Sequence, residues 1–350
     1  MLAAAEVRRE LATSRTIEPN LSPVLAPVTP PAVTIAQLAD APTRPARTYL
    51  THRLDVRLPR PVEEVETDIP LVLDSLESWQ LANELLDHYR RGTDDDGLAR
   101  WREAKRQSGV LPPRALATAV VTDIERDLGV LLKARPDMRE LLTASGSVSV
   151  DALLESPSGE PVRVSEVIDR IAGDLLVRVE YTRPKNRQPI TVALELAALV
   201  MTEPDRNWSA LLVTRNSGAG SQVTELQPTG GNATDRVASA RRFLETTLAI
   251  HLRALREPIP MFDKSSRELY QSANFDDEEF VRADLRDNHT GFIWGETTAD
   301  EVLAIPIRAD DELAALAVIA ASTSCTGGGR AHAFATYFWS AFEAFVGPLR

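Results

Sequence analysis

Apolar residues recur at helical spacing through most of residues 33–143. The first helix is predicted to begin after Thr34, because Gln37 three residues later completes the spacing of a capping box. Asp74 and Glu77 repeat this spacing ahead of a second apolar stripe. The pattern therefore predicts a helical subdomain over residues 33–143.

Three consecutive acids, Asp94, Asp95 and Asp96, precede a third apolar stripe. They could bind a cation, but they also suit the N-terminus of a helix, where the helix dipole favours negative charge. A longer stripe then runs from Leu116 to Leu131 and predicts a long amphipathic helix.

The pattern changes after residue 143, where short runs rich in β-branched residues predict strands. Residues 161–164 and 175–181 flank a turn around Gly173, and we expect these two runs to pair as a hairpin. A helix is predicted to follow Asn186 because an apolar stripe of helical period begins there.

Two more strands, residues 210–213 and 223–226, flank a turn rich in glycine and serine. The remaining segments of helical period are 233–255, 264–287 and 331–346. Because strands alternate with helices, the fold class predicted for residues 144–350 is α/β.

Residues 1–32 differ from the rest of the chain. Five prolines between residues 18 and 31 favour an extended, stiff linker. A short helical stretch, residues 2–14, precedes it, and we expect either an extended tail or the stump of an upstream domain. We favour the helix stump, followed by the proline-rich linker.

The net charge of −12 means that the whole surface repels nucleic acid, so any DNA contact must be local. The single cysteine, Cys325, cannot form an internal disulfide, and no uninterrupted apolar run reaches the roughly 18 residues of a membrane-spanning helix. These features predict a cytoplasmic protein with no membrane contact. The five histidines never fall at the spacing of a helical metal pair, so no metal site is expected.

Motifs for nucleotide binding or acyl transfer are missing from the sequence. The glycine-rich residues 218–221 and 327–329 do not lead into Gly-Lys-Ser/Thr, which predicts loops rather than a triphosphate site. No Gly-x-Ser-x-Gly elbow presents a serine nucleophile.

Asp169 and Glu180 are predicted to lie on successive strands. Two such carboxylates, with a lysine two residues after the second, would hold Mg²⁺ and activate water against a phosphodiester. Here Thr182 occupies the lysine position, and the next lysine, Lys185, lies beyond a proline. We therefore predict no catalytic residue, and two solvated acids on a surface hairpin are the alternative.

Four basic residues, Arg178, Arg183, Lys185 and Arg187, surround Glu180 in the sequence and give an acidic chain a local excess of positive charge. We predict that they contact DNA phosphates, because cations near DNA gain affinity by releasing counterions. A solvated charged face is the other interpretation of the same pattern.

Several segments together resemble the carboxy-terminal part of RecC, the gamma subunit of exodeoxyribonuclease V (the RecBCD complex), in its actinobacterial form. The most specific is Leu-Arg-Glu-Pro-Ile-Pro-Met-Phe-Asp-Lys-Ser-Ser at residues 255–266; the others are residues 34–38, 45–54, 69–80 and 109–113. The resemblance covers nearly the whole chain but not the helicase-like domains found upstream in this much longer family. The chain thus resembles a fragment or an unusually short product.

The resemblance implies that residues 144–350 form a PD-(D/E)xK (restriction-endonuclease-like) domain without the catalytic set, which agrees with Thr182 at the lysine position. It also implies partners, namely RecB-like and RecD-like subunits and DNA ends or forked DNA, and a role in DNA repair and recombination. Mg²⁺ and ATP would be used by the partner subunits, so we expect no cofactor in this chain.

Within the most specific segment, Pro258 and Pro260 end the preceding helix and force an extended strap with little entropy to lose. The strap is either a docking element or only a helix stop. Met261 and Phe262 would accordingly be apolar anchors at a partner interface, or core residues.

The leading hypothesis from the sequence is a non-catalytic DNA-repair module of the RecC type. One rival is an active metal-dependent nuclease that uses Asp169 and Glu180, with Lys185 displaced but within reach. The other rival is a protein-interaction module without DNA contact, which would be consistent with the net charge of −12.

Overall fold

The structure of the protein is a computed structural model. It describes residues 24–58, 73–109, 111–112, 115–183, 185–216, 218, 220–272, 277–307 and 329–349. The helix predicted for residues 2–14, Cys325 and residues 327–328 of the second glycine-rich stretch lie outside the described residues.

The described residues up to position 143 are mainly helical, as predicted. The Thr34 side chain accepts a hydrogen bond from the Gln37 N–H, and the Asp74 side chain accepts one from the Glu77 N–H, so both capping boxes form. The helices are α1 (Ile35–Thr43), α2 (Pro45–Arg47), α3 (Ser75–Arg90), α4 (Asp95–Gln107), α5 (Ala115–Leu132) and α6 (Met138–Leu142), with a π-helical turn at Thr48–Arg53.

The run of three acids caps a helix. Asp94 accepts a hydrogen bond from the Gly97 N–H at 2.8 Å, and Asp95 and Asp96 lie in the first turn of α4. The helix interpretation of these acids is confirmed, because Asp94 caps a backbone N–H and the other two acids lie at the positive end of the helix dipole.

One mixed sheet organises the rest of the chain. Its strands are β1 (Ala32–Val33), β2 (Gly146–Glu155), β3 (Pro161–Ala172), β4 (Leu175–Val179), β5 (Ser209–Arg215) and β6 (Ser221–Leu226). β3 pairs antiparallel with β2 and β4 and parallel with β1. β4 and β5 run parallel and are joined through helix α7 (Arg187–Thr202), whereas β5 and β6 form an antiparallel hairpin. The chain is therefore a mixed α/β protein.

The predicted hairpin around Gly173 forms, because β3 and β4 pair antiparallel, but residues 161–164 are not the ones that pair with β4. In the structure β4 pairs with β3 only at residues 171–172, while residues 161–164 pair with β1 and with β2. Strand β2 was not predicted, although Val148, Val150 and Leu154 alternate with polar residues as in a half-buried strand. The long β2–β3 hairpin extends β3 to twelve residues and leaves only its end for β4.

The sheet is covered on both faces. Helices α1, α7, α8 (Ala233–Ala254) and α13 (Arg330–Val346) pack on one face in a core that includes Leu176, Leu212 and Phe243. Helices α3 to α6 pack on the other face with Val177, Val179 and Leu211. Along β4 the side chains thus alternate between the two cores, as a strand requires.

Four shorter helices complete the described chain: α9 (Ser265–Ser272), α10 (Asp277–Ala283), α11 (Asn288–Trp294) and α12 (Ala299–Ala304). Although α1 belongs to the segment predicted as a helical subdomain, it packs with α7 and α8. The domain boundaries at residues 32 and 143 stay predictions. No helix among the described residues is both long and apolar enough to cross a membrane.

Candidate functional site

The two acids singled out in the sequence belong to the antiparallel strands β3 and β4 or directly follow them. Asp169 lies on β3, and Glu180 directly follows β4, where its N–H donates a hydrogen bond to the Val213 carbonyl at 2.9 Å. Thr182 lies beside β5, because its carbonyl accepts a hydrogen bond from the Arg215 N–H at 3.0 Å. The backbone around the lysine position of a nuclease is thus fixed against the sheet.

A guanidinium lies among the carboxylates of this site. Arg178 faces α7 and forms a bidentate pair with Glu195, Nε to Oε2 at 2.9 Å and Nη2 to Oε1 at 2.8 Å. Its Nη1 also donates to the carbonyl of Asp169 at 2.9 Å, and Nη2 lies 3.7 Å from the Asp169 carboxylate. Arg178 is only 9% exposed, so its charge is neutralised by partners within the chain.

Burial and the neighbouring guanidiniums shift the pKa values of the acids in opposite directions. Burial raises the pKa of Glu195 above its ordinary value, and the Arg178 guanidinium opposes that rise. Burial likewise raises the pKa of Glu180, against the attraction of four guanidiniums: those of Arg187, Arg178, Arg90 and Arg170. The site is therefore an arginine-rich cluster rather than an acidic one.

Arg170 adds backbone strain to the cluster. It has a φ of 59°, in the left-handed region that non-glycine residues seldom adopt. The β2–β3 register shifts nearby, between Gly146 and Val148, where the partner residues are 168 and 171. This irregularity places Asp169 and Arg170 at a break in the pairing.

A metal would need several ligands converging on one point. Among the described residues, no group of three or more His, Cys, Asp or Glu side chains is placed to hold a metal ion. Asp169 instead exposes 63% of its side chain, and Glu195 points at Arg178. The carboxylates of this site therefore interact with the Arg178 guanidinium.

The four basic residues predicted to contact DNA differ in their exposure and in their carboxylate partners. Arg178 is buried in its pair with Glu195, and Arg187 donates to the buried carboxylate of Asp40, with N to O distances of 3.1 and 3.0 Å. Arg183 and Lys185 are exposed. Contact of the four with DNA stays a prediction, but Arg178 and Arg187 have carboxylate partners within the chain, and the Arg187 side chain is 32% exposed.

The four residues predicted at a partner interface lie inside the chain. Met261 is 1% exposed and Phe262 is 2% exposed, and Pro258 and Pro260 are also buried. The Phe262 ring packs edge-on against Phe280 at a centroid distance of 4.7 Å. The strap is a core element of this chain, and a partner contact through it stays a prediction.

Sequence reasoning missed Glu195, which positions Arg178. The signal was present, because Glu195 is an acid between Leu194 and Leu196 in an otherwise apolar helix. A lone acid on a buried helix face requires a cationic partner. Which of the chain's basic residues would supply it follows only from the sheet register, and that was not predicted correctly.

Comparisons with known proteins converge on one family. The family model described as the RecC C-terminal domain matches residues 30–274. The chain is 30% identical to the RecBCD enzyme subunit RecC of Mycobacterium tuberculosis (strain ATCC 25618 / H37Rv) over 191 residues, 53% of this chain and 16% of that protein. It is 26% identical to the RecBCD enzyme subunit RecC of Mycolicibacterium smegmatis over 235 residues, 67% of this chain and 20% of that protein. The chain thus spans a fifth or less of these relatives.

Proposed function

The chain belongs to the RecC C-terminal domain family, and from this premise we propose that it acts as a non-catalytic part of a RecBCD-type complex. In this role it binds RecB-like and RecD-like subunits and DNA ends or forked DNA during unwinding and degradation. Such a complex serves double-strand-break repair by homologous recombination in the cytoplasm, and the partner subunits use the ATP and Mg²⁺. The match over residues 30–274 and the names of the relatives support this proposal.

The same proposal includes a nuclease-like fold. It is supported by the order of the elements, because β3 and β4 form an antiparallel pair and α7 then leads to the parallel strand β5. Asp169 on β3 and Glu180 after β4 also support it, because a nuclease of this class carries its two metal-binding acids on successive strands.

The lack of catalysis is carried by one observation, the Arg178 guanidinium between Glu195 and Asp169. This guanidinium is held by its bidentate bonds to Glu195, and its Nη2 lies 3.7 Å from the Asp169 carboxylate, so its charge opposes the binding of a divalent metal beside Asp169. Thr182 at the lysine position supports the same conclusion, because a hydroxyl supplies no positive charge to a phosphodiester.

Assembly is tested by co-expressing the chain with the RecB-like and RecD-like subunits of the same organism and measuring co-elution in size-exclusion chromatography. We expect one species that contains all the chains. An Arg183→Ala variant serves as the control, since it changes an exposed charge only. Separate elution of wild-type chain and subunits would contradict the proposal.

Catalysis is tested with linear duplex DNA, MgCl₂ and the purified chain. We expect no digestion, and we expect the Glu180→Ala variant to behave like the wild type. Mg²⁺-dependent digestion that disappears in Glu180→Ala would overturn the non-catalytic assignment and leave the family membership untouched.

A further inference from the structure

A cleft of about 410 Å³ lies beside the arginine-rich cluster, on the α7 side of strands β5 and β6. Its floor is the face of the sheet that carries Thr214, Gln222 and Thr224; across the two strands Thr214 pairs with Gln222 and Leu212 pairs with Thr224. Because Leu212 belongs to the core shared with α7, these side chains face the α7 side. Beyond the helices that cover the core, this face is polar and open.

Two lysines from distant parts of the sequence line the same cleft. Lys185 precedes α7, and Lys264 precedes α9. The two segments are joined because the Asn186 side-chain amide donates a hydrogen bond to the Asp263 carbonyl at 2.5 Å. Both lysines are exposed, and neither ammonium forms an ion pair within the described part of the chain.

The cleft is positively charged in a protein whose net charge is −12. Its lining contains three basic residues, Lys185, Lys264 and Arg267, against one acid, Glu268. Arg267 is oriented by its hydrogen bond to the Leu349 carbonyl at 2.9 Å and lies 5.8 Å from the Trp339 ring. A cationic cleft repels metal ions and attracts anions.

The other lining side chains indicate which anion would fit. They are mainly amides and hydroxyls, including Gln188, Gln222, Gln271, Thr214 and Thr224. Lysine, arginine, glutamine and threonine are side chains that contact phosphate and sugar oxygens in nucleic-acid complexes. No aromatic ring is among the described lining residues, so bases have no stacking surface there.

We propose that this cleft binds the sugar-phosphate backbone of a single nucleic-acid strand without regard to its sequence, with Lys185 and Lys264 as the principal phosphate contacts. The inference rests on the proposed function for the presence of DNA. We take a single strand as the occupant, because a cleft of about 410 Å³ is too small to enclose a duplex. Of the four basic residues predicted from the sequence, only Lys185 lies in the cleft.

The test measures fluorescence anisotropy of a labelled oligothymidylate titrated with the 350-residue chain over a range of NaCl concentrations. We compare wild type with the Lys185→Ala/Lys264→Ala double variant. The control is the Arg100→Ala/Lys133→Ala double variant, which removes two exposed charges outside the cleft. Thermal unfolding of every variant confirms that the fold is retained.

We expect the Lys185→Ala/Lys264→Ala variant to bind on the order of tenfold more weakly at low salt, with a salt slope reduced by about 0.7 for each phosphate that the variant no longer neutralises. The control variant should bind like the wild type. Photocrosslinking of an iodouracil-containing strand should label residues 185–189 or 264–271.

Three results would overturn the proposal: a Lys185→Ala/Lys264→Ala variant that binds as the wild type does, an Arg100→Ala/Lys133→Ala variant that loses as much affinity as that double variant, or a wild-type chain that does not bind the strand. Equal competition by polyglutamate of the same charge would overturn the choice of nucleic acid over an acidic peptide. Co-elution with the RecB-like and RecD-like subunits is measured separately, so failure of the cleft leaves the assembly proposal standing.

Discussion

The arginine-rich cluster around Arg178 and the cleft of Lys185 and Lys264 lie next to each other, and both are rich in cations. They differ in where the charge goes. Arg178 is 9% exposed and is satisfied by Glu195 and Asp169, whereas the two lysines are exposed and form no ion pair with any described residue. The first cluster uses its positive charge to hold the fold, and the second leaves its charge for a ligand.

This difference shows that a local excess of basic residues in a sequence is not in itself a binding surface. Arg178 and Lys185 belong to one run of the sequence, yet one faces the α7 core and the other opens onto solvent. The partner that decides the role of Arg178 is Glu195, two helical turns into α7. A basic residue with a carboxylate partner inside the chain stabilises the fold, whereas a basic residue without one is available to bind a ligand.

The largest effect is expected from removing the buried guanidinium of Arg178. We expect Arg178→Ala to lower the free energy of unfolding by about 3–5 kcal/mol, because it leaves Glu195 buried without its partner. Urea denaturation followed by circular dichroism measures this loss. Burial already raises the pKa of Glu195, so the variant should lose more stability at high pH than at low pH, where the carboxyl takes up a proton.

Two variants control this experiment. Arg183→Ala removes an exposed guanidinium five residues away and should change the free energy of unfolding by no more than about 0.5 kcal/mol. Arg178→Met combined with Glu195→Leu replaces the ion pair with apolar side chains and should recover most of the lost stability. A single Arg178→Ala variant as stable as the wild type would mean that the guanidinium is not a structural charge.

Much of the fold follows from short-range patterns. Capping boxes at Thr34 and Asp74 located α1 and α3, and the cap at Asp94 decided the role of three acids, because these signals depend on residues three positions apart. The β-branched runs located β4 and β5 for the same local reason.

The sites depend on contacts that no local pattern reports. Lys185 and Lys264 line one cleft where the Asn186 amide donates to the Asp263 carbonyl, and Arg187 reaches Asp40 because α1 packs on α7. The missed strand β2 had a similar consequence, since without it residues 161–164 were assigned to the wrong partner. Position of a charge in three dimensions is set by packing, which the sequence pattern specifies only in part.

Arg187 is intermediate between the buried Arg178 and the exposed lysines, and its removal should have a smaller effect on the free energy of unfolding. Its side chain is 32% exposed, yet it donates to the buried Asp40 carboxylate, which also lies 3.6 Å from Arg47. We expect Arg187→Ala to lower the free energy of unfolding by about 1–2 kcal/mol, because Asp40 keeps one cation nearby. Urea denaturation measures the change, and Arg47→Ala, which removes the longer contact, should cost less.

Strand binding distinguishes the role of Arg187 from that of Lys185. If Arg187 is structural, Arg187→Ala should leave oligothymidylate affinity within about twofold of the wild type, as an exposed charge outside the cleft would. The opposite pair of results, unchanged stability with a loss of affinity as large as that of Lys185→Ala, would place Arg187 in the binding surface instead.

The smallest expected effect concerns Asp263, which lies behind the two lysines. Burial and the neighbouring Asp284 raise the pKa of Asp263 to about 6, against the attraction of Arg44, Lys185 and Lys264. As pH falls from about 7.5 to about 5.5, the carboxyl takes up a proton and the lysines lose a competing negative charge. We therefore expect oligothymidylate affinity to rise a few fold over this range, measured by anisotropy at constant salt.

The Asp263→Asn variant tests whether Asp263 is the group whose protonation changes the affinity. It should bind at the upper end of this pH range about as tightly as the wild type binds at the lower end, and its affinity should no longer change between them. Because the folded-state pKa of Asp263 is raised, the wild type should also gain stability as pH falls through about 6 towards the unfolded-state value, and Asp263→Asn should lack that gain. A variant that keeps the full pH dependence of binding would show that the titrating group lies elsewhere, and that the cleft's charge is not set by the acid behind it.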